Sequence, residues 1–284
     1  MSTSAVLLLS GPDARGLVAA VSEFIYRAGG NVIHADQHSD PEEKMFLQRV
    51  EWDLEGFSIP RERILEAFGP IADRFGMRAE LHVSDHVPRV AILVSKYAHC
   101  LHDLIARRDE GELRFDLPLV VSNHEDLRPI GERAGARYEV IPVATGDEDA
   151  ACAKLLALLE RERIELVVLA RYMRILRGPL LERFAGRIIN IHHSFLPAFA
   201  GARPYHQAYT RGVKLIGATA HYVTADLDQG PIIEQDVERV SHRDDVDDLV
   251  RKGRDLEKVV LARAVGHHIR RRVLVYGNKT VVFD

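Results

Sequence analysis

Cysteine is nearly absent from the sequence. Two cysteines, Cys100 and Cys152, in 284 residues cannot build a disulfide framework, and they suit a reducing compartment, so the expected location is the cytoplasm. An excess of one charge is missing too. Lys and Arg number 38 against 42 Asp and Glu, a net charge of −4, which leaves no basic field to hold nucleic acid. Even Arg270-Arg271-Arg272 reads as a solvated helix end, complementing the negative C-terminus of a helix. Long apolar runs are lacking as well. Ala5 to Leu9 is far too short to cross a bilayer and follows no basic leader, so neither a membrane span nor a signal peptide is expected. No internal repeat and no low-complexity segment interrupts the chain. What is present, 46% hydrophobic and 28% charged residues, describes a globular chain with a real core, long enough for one large and one small domain.

The first 84 residues read as the small domain. Ser4 to Ser10 is a short apolar run stopped by Gly11-Pro12, which predicts a buried strand. Asp13 is placed to cap a helix carrying Leu17, Val18, Val21, Phe24 and Ile25 at helical spacing, and Gly29-Gly30 ends it. Strands at 31–37 and 45–54, a helix starting at Pro60 and a strand at 78–83 complete a βαββαβ order, the ferredoxin-like unit. Asp85-His86-Val87-Pro88 is a polar linker. From residue 89 to 284, apolar strand candidates alternate with helical stretches, which predicts a mostly parallel, Rossmann-like sheet. A charge-rich helix at 244–273 and a terminal hairpin turning at Gly277-Asn278 close the chain.

Polar groups collect in one stretch of this larger domain. Asn190 and His192 lie two apart after Arg187-Ile188-Ile189, so on a strand they share a face. Asp228 lies in a loop between strand candidates 214–223 and 231–240. If those strands neighbour the first, an amide donor, a group titrating near neutrality and a carboxylate converge at one end of the sheet. That set suits attack on a carbonyl-level carbon. Each residue alone has a plain structural reading, as a turn cap, a core histidine and an Asx-turn; together they favour a site. His99 and His102 share a helical face beside Cys100 and Asp103, but no second ligand pair stands nearby, and His192 and His193 are expected to point opposite ways, so no metal is expected. Ser194 lacks the Gly-x-Ser-x-Gly context of a nucleophile.

The run Asn190-Ile-His-His-Ser-Phe-Leu-Pro197, with Gly217-Ala-Thr-Ala-His-Tyr-Val223 and Leu227-Asp-Gln-Gly-Pro-Ile-Ile233, resembles the signature of the folate-dependent formyltransferase fold. Closer details resemble its 10-formyltetrahydrofolate deformylase branch: His193, Gly201-Ala-Arg-Pro-Tyr-His-Gln-Ala-Tyr209 and Ser95-Lys-Tyr-Ala-His-Cys-Leu-His-Asp-Leu104. The segments Ser10 to Val18 and Gly29 to Val32 resemble an ACT domain, a module that often binds amino acids.

The resemblance implies Asn190, His192 and Asp228 as catalytic residues. It implies a folate pocket at Met173, Arg174, Ile175 and Leu176, joined by His221, which either orients His192, packs against the folate or is a plain cross-strand pair. An effector site at Asp13, Arg15, Gly16, Asn31 and Val32, for methionine or glycine, stands beside the reading that this domain serves only oligomerisation. A homo-oligomer, dimer or tetramer, is expected, and no cofactor beyond the folate substrate is implied. The implied reaction is hydrolysis of 10-formyltetrahydrofolate, in one-carbon and purine metabolism. The related glycinamide ribonucleotide formyltransferases carry a glycine-rich phosphate cradle at the first strand-to-helix turn. Ser95 to Cys100 has no glycine there, so water replaces a phosphorylated acceptor. A transferase using an amine acceptor and a non-catalytic folate sensor are the alternatives.

Overall fold

The computed structural model describes residues 3–144, 146–197 and 204–283. Two compact units divide between His86 and Val87. The first comprises β1 (Ser4–Pro12), α1 (Leu17–Arg27), β2 (Asn31–Asp40), β3 (Met45–Asp53), α2 (Ile64–Phe75) and β4 (Arg78–Val83). Its strands form an antiparallel sheet in the order β2-β3-β1-β4. Alternation along β1 explains why this strand is buried on both sides. Ala5, Leu7 and Leu9 pack with Trp52 and with Ile25 and Phe68 from the two helices, whereas Val6 and Leu8 pack with Leu47, Leu274 and Phe283. Those last two residues come from the end of the chain. A sequence-based division at residue 89 leaves the tail with the second domain; the compact units instead count Arg270–Tyr276 and Thr280–Asp284 with the first. The reason is the exposed apolar face of β1, which Leu274 and Phe283 help to cover. The cap of α1 also differs from expectation. Gly16, at φ 87°, occupies the cap position without any side-chain bond, while Asp13 uses its backbone N–H on the Lys44 carbonyl.

The second unit holds β5 (Arg89–Val94), α3 (His99–Asp109), β6 (Asp116–Ser122), α4 (Arg128–Arg133), β7 (Arg137–Val140), α5 (Glu148–Arg161), β8 (Leu166–Leu169) and α6 (Pro179–Arg183). It continues through β9 (Ile188–His192), α7 (Pro204–Arg211), β10 (Leu215–Tyr222), β11 (Ile232–Arg239) and the long α8 (Val246–Ile269). The terminal hairpin strands are β12 (Val273–Tyr276) and β13 (Lys279–Val282). Seven strands form one sheet in the order β11-β10-β9-β8-β5-β6-β7. β5 to β9 run parallel, and β10 and β11 are antiparallel additions beside β9. The sheet is therefore mostly parallel, as the alternating pattern predicts. Interior strand β5 reads Val90-Ala-Ile-Leu-Val94 after Arg89, and these five residues are fully buried, the composition of a strand covered on both faces. From β5 the chain winds outward through β6 and β7, then returns to β8 on the other side, so strand order reverses between β5 and β8. Ligands in open α/β sheets bind outside the carboxyl ends of strands at such a reversal. No helix among the described residues is long and apolar enough to cross a membrane.

Candidate active site

A cavity of about 1000 Å³ opens at that reversal. Its walls come from Tyr97 and His99 after β5, Arg171 to Leu176 after β8, Asn190 to His193 at the end of β9, and the loop from Val223 to Gly230. Every residue implied for the catalytic site and the folate pocket lines it: Asn190, His192, Asp228, Met173, Arg174, Ile175, Leu176 and His221. The convergence follows from register. β10 pairs with β9 so that His221 faces Asn190 and Thr219 faces His192, and the loop after β10 brings Asp228 back over the strand end. Asp228 adopts φ 55°, a left-handed conformation that aspartate tolerates better than most residues.

Hydrogen bonds fix the state of each group. His221 is buried; its Nδ1 lies 2.9 Å from the Tyr222 carbonyl and must donate there. Its Nε2 is then the acceptor for the Asn190 amide, at 3.2 Å. His221 therefore aims Asn190, and burial keeps it neutral by lowering its pKa. His192 is held the same way: its Nδ1 is 3.3 Å from Asp228 Oδ1, so Nδ1 carries a proton toward the carboxylate. That contact, against the opposing pull of burial, holds the Asp228 carboxyl below the usual range. His192 Nε2 is buried and has no hydrogen-bond partner among the described residues. The pair thus leaves one imidazole nitrogen uncommitted on a residue that lines the cavity, beside an oriented amide.

Other residues brace this arrangement. The Thr219 hydroxyl, fully buried, donates to the Ser194 carbonyl and accepts from the Leu196 N–H and from Gln235 Nε2, at 2.9, 3.0 and 2.9 Å. It pins the turn that follows His192. Met173 N–H donates to Ser95 Oγ, which donates to Asn123 Oδ1, so the loop after β8 is tied to the end of β5. Gly230 follows Asp228 by two residues, and a Cβ there would sit 1.7 Å from the Tyr222 carbonyl oxygen. Gly230→Ala must shift this loop, and misplacing a catalytic group by an ångström costs on the order of 10²-fold. The expected result is a loss of turnover of that size in steady-state kinetics, with the circular dichroism spectrum retained.

Some expectations are corrected. His192 and His193 do not point apart; the chain bends after β9 and brings their rings to 5.2 Å. His102 is exposed, and His99 pairs instead with Glu257 of α8, Nε2 to Oε2 at 2.7 Å. His99, Cys100 and Glu257 offer donor atoms within 4.8 Å of one another. Their surroundings suit a hydrogen-bonded ion cluster more than a cation site. Arg171 Nε lies 3.4 Å from Glu257, Tyr205 donates to its other oxygen at 2.7 Å, and burial pushes the Cys100 thiol well above its usual pKa, away from thiolate ligation. Residues 201–203 of the motif at 201–209 lie outside the described residues. Asp13, Arg15, Gly16, Asn31 and Val32 are all exposed.

His193 carries a pH signature. Burial first, then the charge of Arg171, push its imidazole down from 6.5 to about 4. Between those values an unfolded chain binds a proton that the native state refuses, so stability falls as pH drops through 6.5 and levels off below about 4. Buried His221 acts in the same direction. His193→Gln is expected to flatten part of this acid loss, bounded at about 3 kcal/mol, in urea titrations at stepped pH.

Comparison with known proteins completes the picture. Residues 88–265 match the formyl transferase family and residues 5–72 the ACT domain. A glycinamide ribonucleotide transformylase structure from Symbiobacterium toebii is 33% identical with a TM-score of 0.68, covering 72% of this chain and 98% of that one. A formyltetrahydrofolate deformylase of Synechocystis is 54% identical over 99% of this chain and 98% of its own length. The crystal structure of a deformylase from Pseudomonas syringae pv. tomato superimposes with a TM-score of 0.98 at 47% identity, covering 100% of this chain and 95% of that one. The chain belongs to the formyltetrahydrofolate deformylase family. The deformylases match it from end to end, both units included, whereas the transformylase leaves more than a quarter of this chain unmatched.

Proposed function

We propose that the cavity takes 10-formyltetrahydrofolate and that the chain hydrolyses it to formate and tetrahydrofolate. The observation that carries this reading is the unpartnered His192 Nε2, buried at the cavity wall with its other nitrogen committed to Asp228. Such a nitrogen can take a proton from water while the carboxylate stabilises the imidazolium. Water oxygen bonds to the formyl carbon as the proton passes to His192. Asn190, aimed by His221, donates to the oxygen that becomes negative, and the protonated His192 supports it. Collapse breaks the carbon–N10 bond, and His192 returns its proton to N10 as tetrahydrofolate leaves. Met173 and Ile175, each 53% exposed at the cavity, with Leu176 beneath, offer an apolar slot for the flat ring.

The deciding experiment supplies 10-formyltetrahydrofolate and no acceptor but water. Stoichiometric formate release supports hydrolysis. Formyl transfer only after an amine is added would make the chain a transferase, and binding without turnover a sensor.

The exposed residues Asp13, Arg15, Gly16, Asn31 and Val32 are read as an amino-acid effector site, with methionine and glycine as the ligands to try in thermal-shift titrations. Edge strand β2, solvent-exposed along most of its length, suits pairing with a second copy, and light scattering reports the resulting homo-oligomer. Two buried free cysteines suit a cytoplasmic setting.

A further inference from the structure

Arg171 is not used by the mechanism above, yet it lines the same cavity. Its side chain is 10% exposed, and both Nε and Nη1 are buried without a hydrogen-bond partner among the described residues. Its nearest carboxylate is already engaged: Glu257 Oε1 accepts from Tyr205 and Oε2 bonds His99, each at 2.7 Å. Arg171 Nε approaches Oε2 only to 3.4 Å and is not aligned for a hydrogen bond. Its backbone sits at φ 66°, outside the regions arginine prefers. A buried guanidinium left short of acceptors is costly unless something else supplies them. A second cation stands close by. Arg254, exposed on α8 and lining the cavity, lies over the Tyr97 ring at 5.4 Å, and Arg171 lies over the same ring at 5.3 Å. Two guanidinium groups against one ring, with the single Glu257 carboxylate beside Arg171, leave a net positive charge among these three side chains, and the planar guanidinium fork matches a carboxylate.

We propose that Arg171, supported across Tyr97 by Arg254, forms a subsite for a small carboxylate, and that its occupant is the formate released at His192. Arg171 lines the same cavity as His192 and His193, so the subsite opens into the space that holds the reacting centre. The subsite draws the product anion away from the imidazole that must return its proton to N10. This inference rests on the hydrolytic reading for the identity of its ligand. Its test needs no turnover, so the two can fail separately.

The experiment titrates the full chain with sodium formate, followed by the chemical shift and line width of ¹³C-formate, with sodium chloride holding ionic strength constant. Saturable binding is expected in the wild-type chain, weakened about tenfold in Arg171→Lys, which keeps the charge beside Glu257 but not the fork, and to a lesser degree in Arg254→Gln. Saturating tetrahydrofolate should leave formate bound. Absence of saturable binding, or equal affinity in both variants, would overturn the proposal. Displacement of formate by free glutamate, together with weaker folate binding in both variants, would instead assign the cluster to a folate tail carboxylate. Arg254→Gln alters an exposed residue, so the test stands if Arg171→Lys fails to fold.

Discussion

The expected result for His192→Ala and for Asp228→Asn is a fall in formate release of about 10²–10⁴-fold, the range for removing positioned proton transfer. The two losses arise differently. Alanine removes the nitrogen that takes the proton. Asparagine keeps the shape of residue 228 but replaces an acceptor with an amide, whose NH₂ can donate to His192 Nδ1 and shift the ring proton to Nε2, the wrong position for a base. The double variant should therefore be little worse than His192→Ala alone, because both changes disable one unit. Asn190→Ala removes an oxyanion donor and costs about 10²–10³-fold. Stopped assays for formate, with circular dichroism confirming the fold, check all of these. Near-normal turnover in Asp228→Asn would separate this carboxylate from the chemistry.

The convergence of Asn190, His192 and Asp228 was legible because strand alternation and flanking turns are local signals. Asn190 and His192 share a face by period, and Gly230-Pro231 marks the loop that carries Asp228. The βαββαβ order and the parallel sheet were legible for the same reason. Other features depend on partners distant in sequence. That His221 makes a cross-strand pair with Asn190, rather than orienting His192, is decided by the register of β9 against β10, and the Tyr222 carbonyl then fixes its tautomer. Thr219 lies in the signature run 217–223 and Gln235 16 residues further on another strand, and nothing local announces that the two form a brace. The terminal hairpin read correctly as a hairpin, but its association with the first unit depends on Leu274 and Phe283 meeting Val6 and Leu8. Nothing in the sequence around Gly253 on α8 announces a close approach. A Cβ there would lie 2.1 Å from the Tyr205 ring, so glycine is what lets the Tyr205 hydroxyl approach Glu257.

That approach completes the buried charge whose loss should be the most damaging to stability. Glu257 is 1% exposed, and burial acts to raise its pKa. The bonds from His99 and Tyr205 and the charge of Arg171 outweigh burial and hold the carboxyl below its ordinary value, so it is ionised in the core. Glu257→Ala removes the anion and strands its partners: Arg171 keeps a buried charge, and Tyr205 and His99 each lose an acceptor. Breaking one side of a buried pair costs about 3–5 kcal/mol. For a domain of this size that corresponds to roughly 10 °C of melting temperature. Glu257→Gln retains an acceptor for Tyr205 and should cost less. Adding Arg171→Met to Glu257→Gln should recover part of the loss, since the second change removes the cation that the first leaves unpaired. A plain packing role predicts the opposite, with the double variant worse than either single one. Calorimetry of Glu257→Ala, Glu257→Gln, Arg171→Met and the double variant decides between them.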